Sequence, residues 1–129
     1  MRIVLVIISL FFSLVLNAQT ASDLFLKANN LYSKEAYSEA IKTYLSINEQ
    51  SVESSDLYFN LGNCYYKLNK IAPSIYYYEK ALKLDPNRKE TCGGYGNLLL
   101  KFNQHSKALS YIKKSTGFIS FTQKDFKII

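Results

Sequence analysis

The strongest constraint on this 129-residue chain is a pattern of side-chain size that repeats every 34 residues. Small residues recur at two positions of the pattern and a large residue at a third. The three sets are Ala28, Gly62 and Gly96, then Ala40, Ser74 and Ala108, then Tyr44, Tyr78 and Ile112. Small residues let two antiparallel helices approach closely, but one such hairpin cannot bury its own apolar face. The pattern therefore predicts an all-α stack of three helical hairpins, at about residues 21–54, 55–88 and 89–122.

The middle unit carries the pattern most completely, from Tyr58 and Leu61 to Ala81 and Pro86. In these positions it resembles the tetratricopeptide repeat (TPR) family. The resemblance implies a right-handed α-solenoid of three helix-turn-helix repeats, with a TPR domain at 20–122 and a C-terminal tail at 123–129. The run from Asn60 to Asn87 also looks like BatE-type TPR proteins of bacterial aerotolerance operons, and this implies a role in a cell-envelope stress complex.

Residues 1–19 have the composition of an export signal. Arg2 supplies a positive charge, and the run from Ile3 to Leu16 is apolar apart from two serines. A small residue before Gln19 offers a cleavage point. The apolar run is shorter than the roughly 20 residues that cross a bilayer. We expect export to the periplasm or cell envelope and cleavage near Gln19, with an uncleaved anchor as the alternative.

Local signals predict where several helices begin and end. Ser22-Asp23 offers N-cap chemistry for the first helix, and Ser55 or Asp56 does so for the third. Pro73 falls in the first turn of the fourth helix, where its missing N–H does no harm, and Pro86 stops that helix.

The third hairpin and the residues after it are the weakest part of the pattern. Gly93 and Gly94 fall inside its first helix and cost roughly 1 kcal/mol each relative to alanine. We expect the first turn of that helix to fray or to start late. Residues 117–129 are apolar but lack a helical period. We expect this tail to cover the exposed face of the third hairpin; pairing with a partner and disorder are the alternatives.

No group of residues has the spacing of a catalytic, metal or cofactor site. The single histidine, His105, lies at a turn, and one imidazole does not make a metal site. The net charge of +6 suits an anionic partner, but the lysines are scattered, so we expect no nucleic-acid binding. Cys64 and Cys92 would be offset by about 9 Å along neighbouring helices, too far for a disulfide, and we expect two small buried hydrophobes. We predict a non-enzyme without metal or cofactor.

The predicted concave face is the candidate binding surface. One asparagine follows the first small residue of each unit, at positions 29, 63 and 97. The first helices of such repeats line the inner groove, so the three amides would form a ladder able to grip a peptide backbone. Aromatic and basic residues flank the ladder. The predicted partner-binding set is Phe25, Asn29, Phe59, Asn60, Asn63, Tyr66, Lys67, Asn97 and Lys101. Local capping or packing by the asparagines is the alternative.

Some TPR domains clamp a C-terminal carboxylate with three cations and two asparagines. Asn29 and Asn60 match the two asparagines of that clamp, but Phe25, Glu90 and Gly94 stand where the cations should be. We therefore expect no clamp of this type. The predicted function is a non-catalytic scaffold that holds a peptide or partner protein, with a membrane-associated complex as one setting. The alternative is a homo-oligomer that stacks through its uncapped C-terminal end.

Overall fold

The computed structural model describes residues 1–116, except for the side chains of residues 15–19. These residues form helices and no strand. The helices are α1 (Arg2–Ser33), α2 (Tyr37–Asn48), α3 (Ser55–Lys67), α4 (Ile71–Leu84), α5 (Lys89–Lys101) and α6 (His105–Thr116). They pair in chain order as the hairpins α1–α2, α3–α4 and α5–α6, and α2 packs on α3 as α4 packs on α5. The predicted tail, 117–129, lies outside the described residues.

The three hairpin turns share one backbone geometry. Each contains a residue in the left-handed region, with φ of 62° at Glu35 and 56° at both Asn69 and Asn103. These positions are separated by the interval of the size pattern. The N–H after each of them donates to a carbonyl five residues back, as in Lys70 N to Tyr65 O at 2.8 Å. This is the Schellman type of helix C-terminus, and asparagine tolerates its left-handed residue better than most side chains.

Helix α1 is longer than the sequence predicts. It runs unbroken from Arg2 to Ser33, so the expected start at Ser22-Asp23 is wrong. No glycine or proline interrupts this range, and a good capping residue does not start a helix that is already formed upstream. Ala21 and Ala28 are buried, whereas the side chains of residues 3–14 are exposed. Within the described residues, no helix combines the length and apolar character required of a membrane span.

The starts of α3 and α5 also differ from the expectations. Ser54, one residue earlier than predicted, caps α3, and its Oγ accepts a hydrogen bond from Leu57 N–H at 3.0 Å. Helix α5 begins at Lys89, so the expected late or frayed start at its glycines is wrong. Thr91 and Cys92, in its first turn, are completely buried. Burial of Cys92 and of the apolar part of Thr91 holds the turn in place and outweighs the low helix propensity of glycine.

Among residues 1–116 the core consists of two clusters, one mainly from α1, α2 and α3 and the other from α4, α5 and α6. The first contains Tyr44, Tyr58 and Leu61, and the second contains Tyr78 and Tyr95. Cys64 is buried in the first cluster and Cys92 in the second, both as free thiols.

The small residues of the pattern stand where helices touch, as predicted. A Cβ added at Gly62 would lie 2.7 Å from Cδ1 of Tyr78, and one added at Gly96 would lie 2.8 Å from Cγ1 of Ile112. Ser74 Oγ donates to the carbonyl oxygen of Gly62 at 2.8 Å. A side chain at either glycine position would force the facing side chain, Tyr78 or Ile112, to shift.

Candidate functional site

The asparagines of the predicted ladder are not equivalent. The hydroxyl of Tyr44 donates to Asn29 Oδ1 at 2.5 Å, and the hydroxyl of Tyr78 donates to Asn63 Oδ1 at 2.6 Å. Each pair joins the two helices of one hairpin. In the third hairpin, Ile112 stands in place of the tyrosine. Asn97 is exposed and has no side-chain hydrogen bond to any other residue among 1–116. Local packing thus occupies two of the three amides.

The tyrosine bonds fix the polarity of the first two amides. A carboxamide accepts hydrogen bonds through its oxygen and donates through its NH₂ group. Burial raises the pKa of the phenols of Tyr44 and Tyr78, so these hydroxyls stay protonated and act as donors. Asn29 Oδ1 accepts a second bond, from Asn60 Nδ2 at 3.1 Å. Asn29 and Asn63 are therefore held with their oxygens engaged, and the amide of Asn97 can turn either way.

A pocket of about 200 Å³ opens between α3 and α5. Its floor is the hydroxyl end of Tyr78, next to Gly94, where an added Cβ would lie 3.1 Å from that hydroxyl oxygen. None of the lining residues is acidic. They are Tyr32, Asn63, Tyr66, Lys67, Tyr78, Gly94 and Asn97. The pocket is therefore a polar, weakly basic recess with aromatic walls.

Five residues of the predicted set come together here. Asn63, Tyr66, Lys67 and Asn97 line the pocket. Lys101 lies beside it, with its Nζ 4.3 Å from the centroid of the Tyr66 ring. A lysine at this distance over an aromatic face is a cation–π contact, which holds the ammonium near the pocket without neutralising it.

The other four predicted residues do not line this pocket. Asn29 and Asn60 bond to each other as described above, and the Phe25 ring packs edge-on against Tyr44 with 5.7 Å between centroids. Phe59 lies under the guanidinium of Arg88, whose Cζ is 4.7 Å from the ring centroid. Arg88 also forms ion pairs with Asp56 and Glu90. Phe25 and Phe59 also pack against the first core cluster.

The predicted set omits three residues that line the pocket. Tyr32 stands one repeat interval before Tyr66, and this spacing already predicts it beside the asparagine ladder, although the predicted set leaves it out. Gly94 stands one repeat interval after Asn60, and the loss of a side chain at that position was a visible sign of an opening. The contact of the Tyr78 hydroxyl with the pocket could not be predicted in this way. The position of Tyr78 in the pattern predicts that its ring packs between helices, but it does not predict where the hydroxyl lies.

No metal centre accompanies the pocket in the part of the chain that the structure describes: residues 1–116 hold no cluster of three or more histidine, cysteine, aspartate or glutamate side chains. His105 is exposed at the first turn of α6.

Comparisons with known proteins bear on the fold and on one repeat. Residues 55–88 match the family model of the tetratricopeptide repeat. The chain is 31% identical over 93 residues to the protein CTR9 homolog of Arabidopsis thaliana and 28% identical over 83 residues to Hsp70-Hsp90 organizing protein 1 of Glycine max. These matches take in 69% and 64% of this chain, but it spans only 8% and 14% of the lengths of those proteins.

A solved structure extends the likeness over most of the described residues. The second TPR domain of Spaghetti (RPAP3), bound to the HSP90 peptide SRMEEVD, aligns with a TM-score of 0.71 at 18% identity. The alignment covers 77% of this chain and 92% of that one. The fold is thus all-helical, as the size pattern predicts, and of the tetratricopeptide repeat type, as the resemblance implies; residues 55–88 match that repeat.

Proposed function

We propose that this chain is a non-catalytic scaffold that holds a peptide segment of a partner protein in the groove lined by α1, α3 and α5. The observation that carries the proposal is the pocket between α3 and α5, at which Asn63, Tyr66, Lys67 and Asn97 converge. Its volume of about 200 Å³ is below the roughly 300–1,000 Å³ typical of pockets for small-molecule ligands. A recess of this size suits one anchoring side chain of a longer ligand.

The chemistry of the groove supports a peptide ligand. Amide and phenol groups can bond to the backbone and polar side chains of an extended segment, and the aromatic faces supply apolar area at low entropic cost. The TPR domain of Spaghetti holds a peptide in its solved structure. We propose that this chain also holds a peptide in its groove. We do not propose the same peptide, because Phe25, Glu90 and Gly94 occupy the cation positions of the carboxylate clamp here.

The decisive experiment begins with the partner. We expect affinity purification from envelope fractions, followed by mass spectrometry, to yield a partner that the variant Asn63→Ala with Asn97→Ala no longer captures. Asn97→Ala alone is the cleaner variant, because Asn63→Ala leaves the Tyr78 hydroxyl without its acceptor and costs about 1–3 kcal/mol of stability. We expect at least about a tenfold loss of affinity for Asn97→Ala, equal to about 1.4 kcal/mol.

Two controls make the result interpretable. Circular dichroism should show unchanged helicity for each variant. Asn30→Ala removes an exposed amide of α1 that does not line the pocket, and it should bind as the unmodified protein does. If the double variant still captures the partner fully, the groove is not the binding site.

We also propose that residues 1–19 direct export and are then removed, so that the scaffold works in the periplasm or cell envelope. The charge of Arg2 and the following apolar run support this, as does the exposure of side chains 3–14, which take no part in the core. The further assignment to an aerotolerance complex rests on the BatE-like run alone. N-terminal sequencing of protein from envelope fractions should give a start near Gln19; a product that keeps Met1 would contradict cleavage.

Self-association is a second candidate function, favoured by the third hairpin. Leu100, Phe102 and Leu109 are 36–47% exposed there. If these residues join copies of the chain, light scattering should report a size that grows with concentration. Phe102→Ser with Leu109→Ser should then keep the protein monomeric, whereas a constant monomer at all concentrations would dismiss this candidate.

A further inference from the structure

We propose that the pocket between α3 and α5 receives the side-chain carboxylate of an aspartate or glutamate in the partner segment. This inference rests on the proposed function and names the chemistry that its central pocket selects. Its residues are Asn63, Lys67 and Asn97 in the lining and Lys101 beside it.

The amide of Asn63 is held in one orientation. Its Oδ1 accepts the Tyr78 hydroxyl at 2.6 Å, and Tyr78 is only 2% exposed. Rotation of the amide would leave that buried hydroxyl without an acceptor, which is unfavourable. Asn63 therefore offers its NH₂ group to a ligand. A group that only accepts hydrogen bonds matches this better than one that must also donate.

The charge at the pocket is positive and unbalanced. Lys67 lines the pocket, Lys101 lies over Tyr66 at its edge, and no lining residue is acidic. Within residues 1–116, neither lysine forms an ion pair. Opposite charges attract more strongly in a recess that partly excludes water than they do in bulk water. An anion in the pocket would gain from both lysines.

The carboxylates nearest in sequence are already engaged elsewhere. Glu79 accepts a hydrogen bond from the Tyr95 hydroxyl at 2.6 Å and lies 3.9 Å from Lys107 Nζ. Asp56 and Glu90 pair with Arg88. The charges of Lys67 and Lys101 are thus left for a ligand to balance.

The pocket also suits an acidic side chain in size and shape. An apolar cavity of about 150 Å³ can hold a benzene molecule. The pocket, at about 200 Å³, therefore has room for one side chain with its carboxylate. The rings of Tyr32 and Tyr66 provide walls for the methylene stem of that side chain. Because a side chain at position 94 would fill the floor, the glycine there keeps the recess open.

The residues of this site differ from those of the terminal-carboxylate clamp. The clamp's cation positions hold Phe25, Glu90 and Gly94, whereas the lysines of the pocket are Lys67 and Lys101. We therefore assign the pocket to an internal acidic residue of the partner segment.

The test uses the purified full chain and three fluorescently labelled peptide pools. The pools have randomised flanks without cysteine and a central residue fixed as glutamate, glutamine or lysine, with an amidated C-terminus. We expect the glutamate pool to bind about tenfold more tightly than the glutamine pool at low salt, and the lysine pool to bind most weakly. The preference should shrink as salt is added, because salt screens partly exposed charges.

Variants assign the preference to this pocket. Lys67→Gln with Lys101→Gln should abolish the preference for glutamate over glutamine. Lys42→Gln with Lys83→Gln removes the same charge from exposed positions on α2 and α4 and should leave the preference intact. Tyr78→Phe frees the amide of Asn63 to turn, so it should raise binding of the glutamine pool relative to the glutamate pool. Denaturation midpoints verify that each variant is folded.

The outcomes separate this inference from the proposed function. If the pools bind equally well and still depend on Asn63 and Asn97, the groove stands and the acidic preference is overturned. If no pool binds, or if substitution of both asparagines leaves binding unchanged, the result contradicts both the proposed binding groove and the acidic preference. The same three pools are also made with a free C-terminal carboxylate. If these bind more tightly than the amidated pools whatever the central residue, the terminal carboxylate is the ligand and the assignment to a side chain is wrong.

Discussion

At the scale of single residues, Tyr78 connects the packing of the middle hairpin with its pocket. Its ring lies against Gly62, its hydroxyl orients Asn63, and the same hydroxyl forms the pocket floor beside Gly94. A change on the buried side of this ring will therefore reach the pocket. Few side chains in the described residues combine a core position with a place in the candidate site.

The contrast between two glycines tests this packing. Gly62→Ala should destabilise the protein by about 1–3 kcal/mol, because the new Cβ would stand 2.7 Å from Cδ1 of Tyr78 in a filled core. Gly93→Ala should stabilise it by about 0.5–1 kcal/mol, because its Cβ would meet only Ser115 at 3.4 Å and the helix loses a flexible residue. Urea unfolding followed by circular dichroism measures both. Equal effects of the two substitutions would contradict the packing argument.

Residue size was readable from the sequence, and hydrogen-bond direction was not. Gly62 and Gly96 repeat at a spacing that only close helix contact explains, so their surroundings could be predicted. The engagement of Asn63 by Tyr78 could not, because the spacing of side chains does not tell which atom a hydroxyl reaches. The exception was visible in part: Ile112 breaks the series of tyrosines, and Asn97 is accordingly the amide whose oxygen no tyrosine engages.

At the scale of helices, the interior of each element was easier to predict than its ends. The size pattern located the helices α2 to α6, because large and small residues mark their contacts. The predicted start of α1 at Ser22-Asp23 is wrong. A capping residue acts only where a helix begins, and nothing in the preceding residues stops this helix. The predicted late or frayed start of α5 is wrong for another reason. The low helix propensity of glycine contributes less free energy than the burial of the first turn at Thr91 and Cys92.

The length of α1 leads to a prediction about which part of it the fold needs. Deletion of residues 1–19 should leave the denaturation midpoint unchanged, because the side chains of 3–14 are exposed. Deletion of residues 1–25 should lower it clearly, because it also removes Ala21, Leu24 and Phe25, which pack in the first core cluster. Circular dichroism of the two shortened chains, compared with the full chain, measures both midpoints. A large loss on the shorter deletion would show that the exposed turns support the hairpins.

At the scale of the whole molecule, the two core clusters join the hairpins into one unit. The first includes Ala81 of α4 together with residues of α1, α2 and α3, and the second joins α4 to α5 and α6. Phe59 packs against both clusters. The pocket lies between α3 and α5 and so exists only while the second and third hairpins are docked. Global stability and the shape of the candidate site should therefore change together.

Alkaline pH tests the packing of this unit, because it ionises thiol and phenol groups that the fold buries. Burial raises the pKa of the Cys64 thiol from 9.0 to about 12, and it raises the pKa of the Tyr44, Tyr78 and Tyr95 phenols. Between the unfolded and folded pKa of each group, the folded chain binds more protons than the unfolded chain. The free energy of unfolding should therefore be constant below about pH 9 and should fall above it. Each such group contributes a slope of up to about 1.4 kcal/mol per pH unit.

The measurement is a series of urea unfolding curves between pH 7 and pH 11, with phenolate absorbance recorded on the folded protein. Cys64→Ala should reduce the fall that begins near pH 9, because the thiol no longer contributes, whereas the fall due to the phenols should persist. Partner or peptide binding should weaken over the same range, since the Tyr78 hydroxyl that orients Asn63 is lost when the hairpins separate. A free energy of unfolding that stays level to pH 11 would contradict the burial of these groups and, with it, the close packing on which the pocket depends.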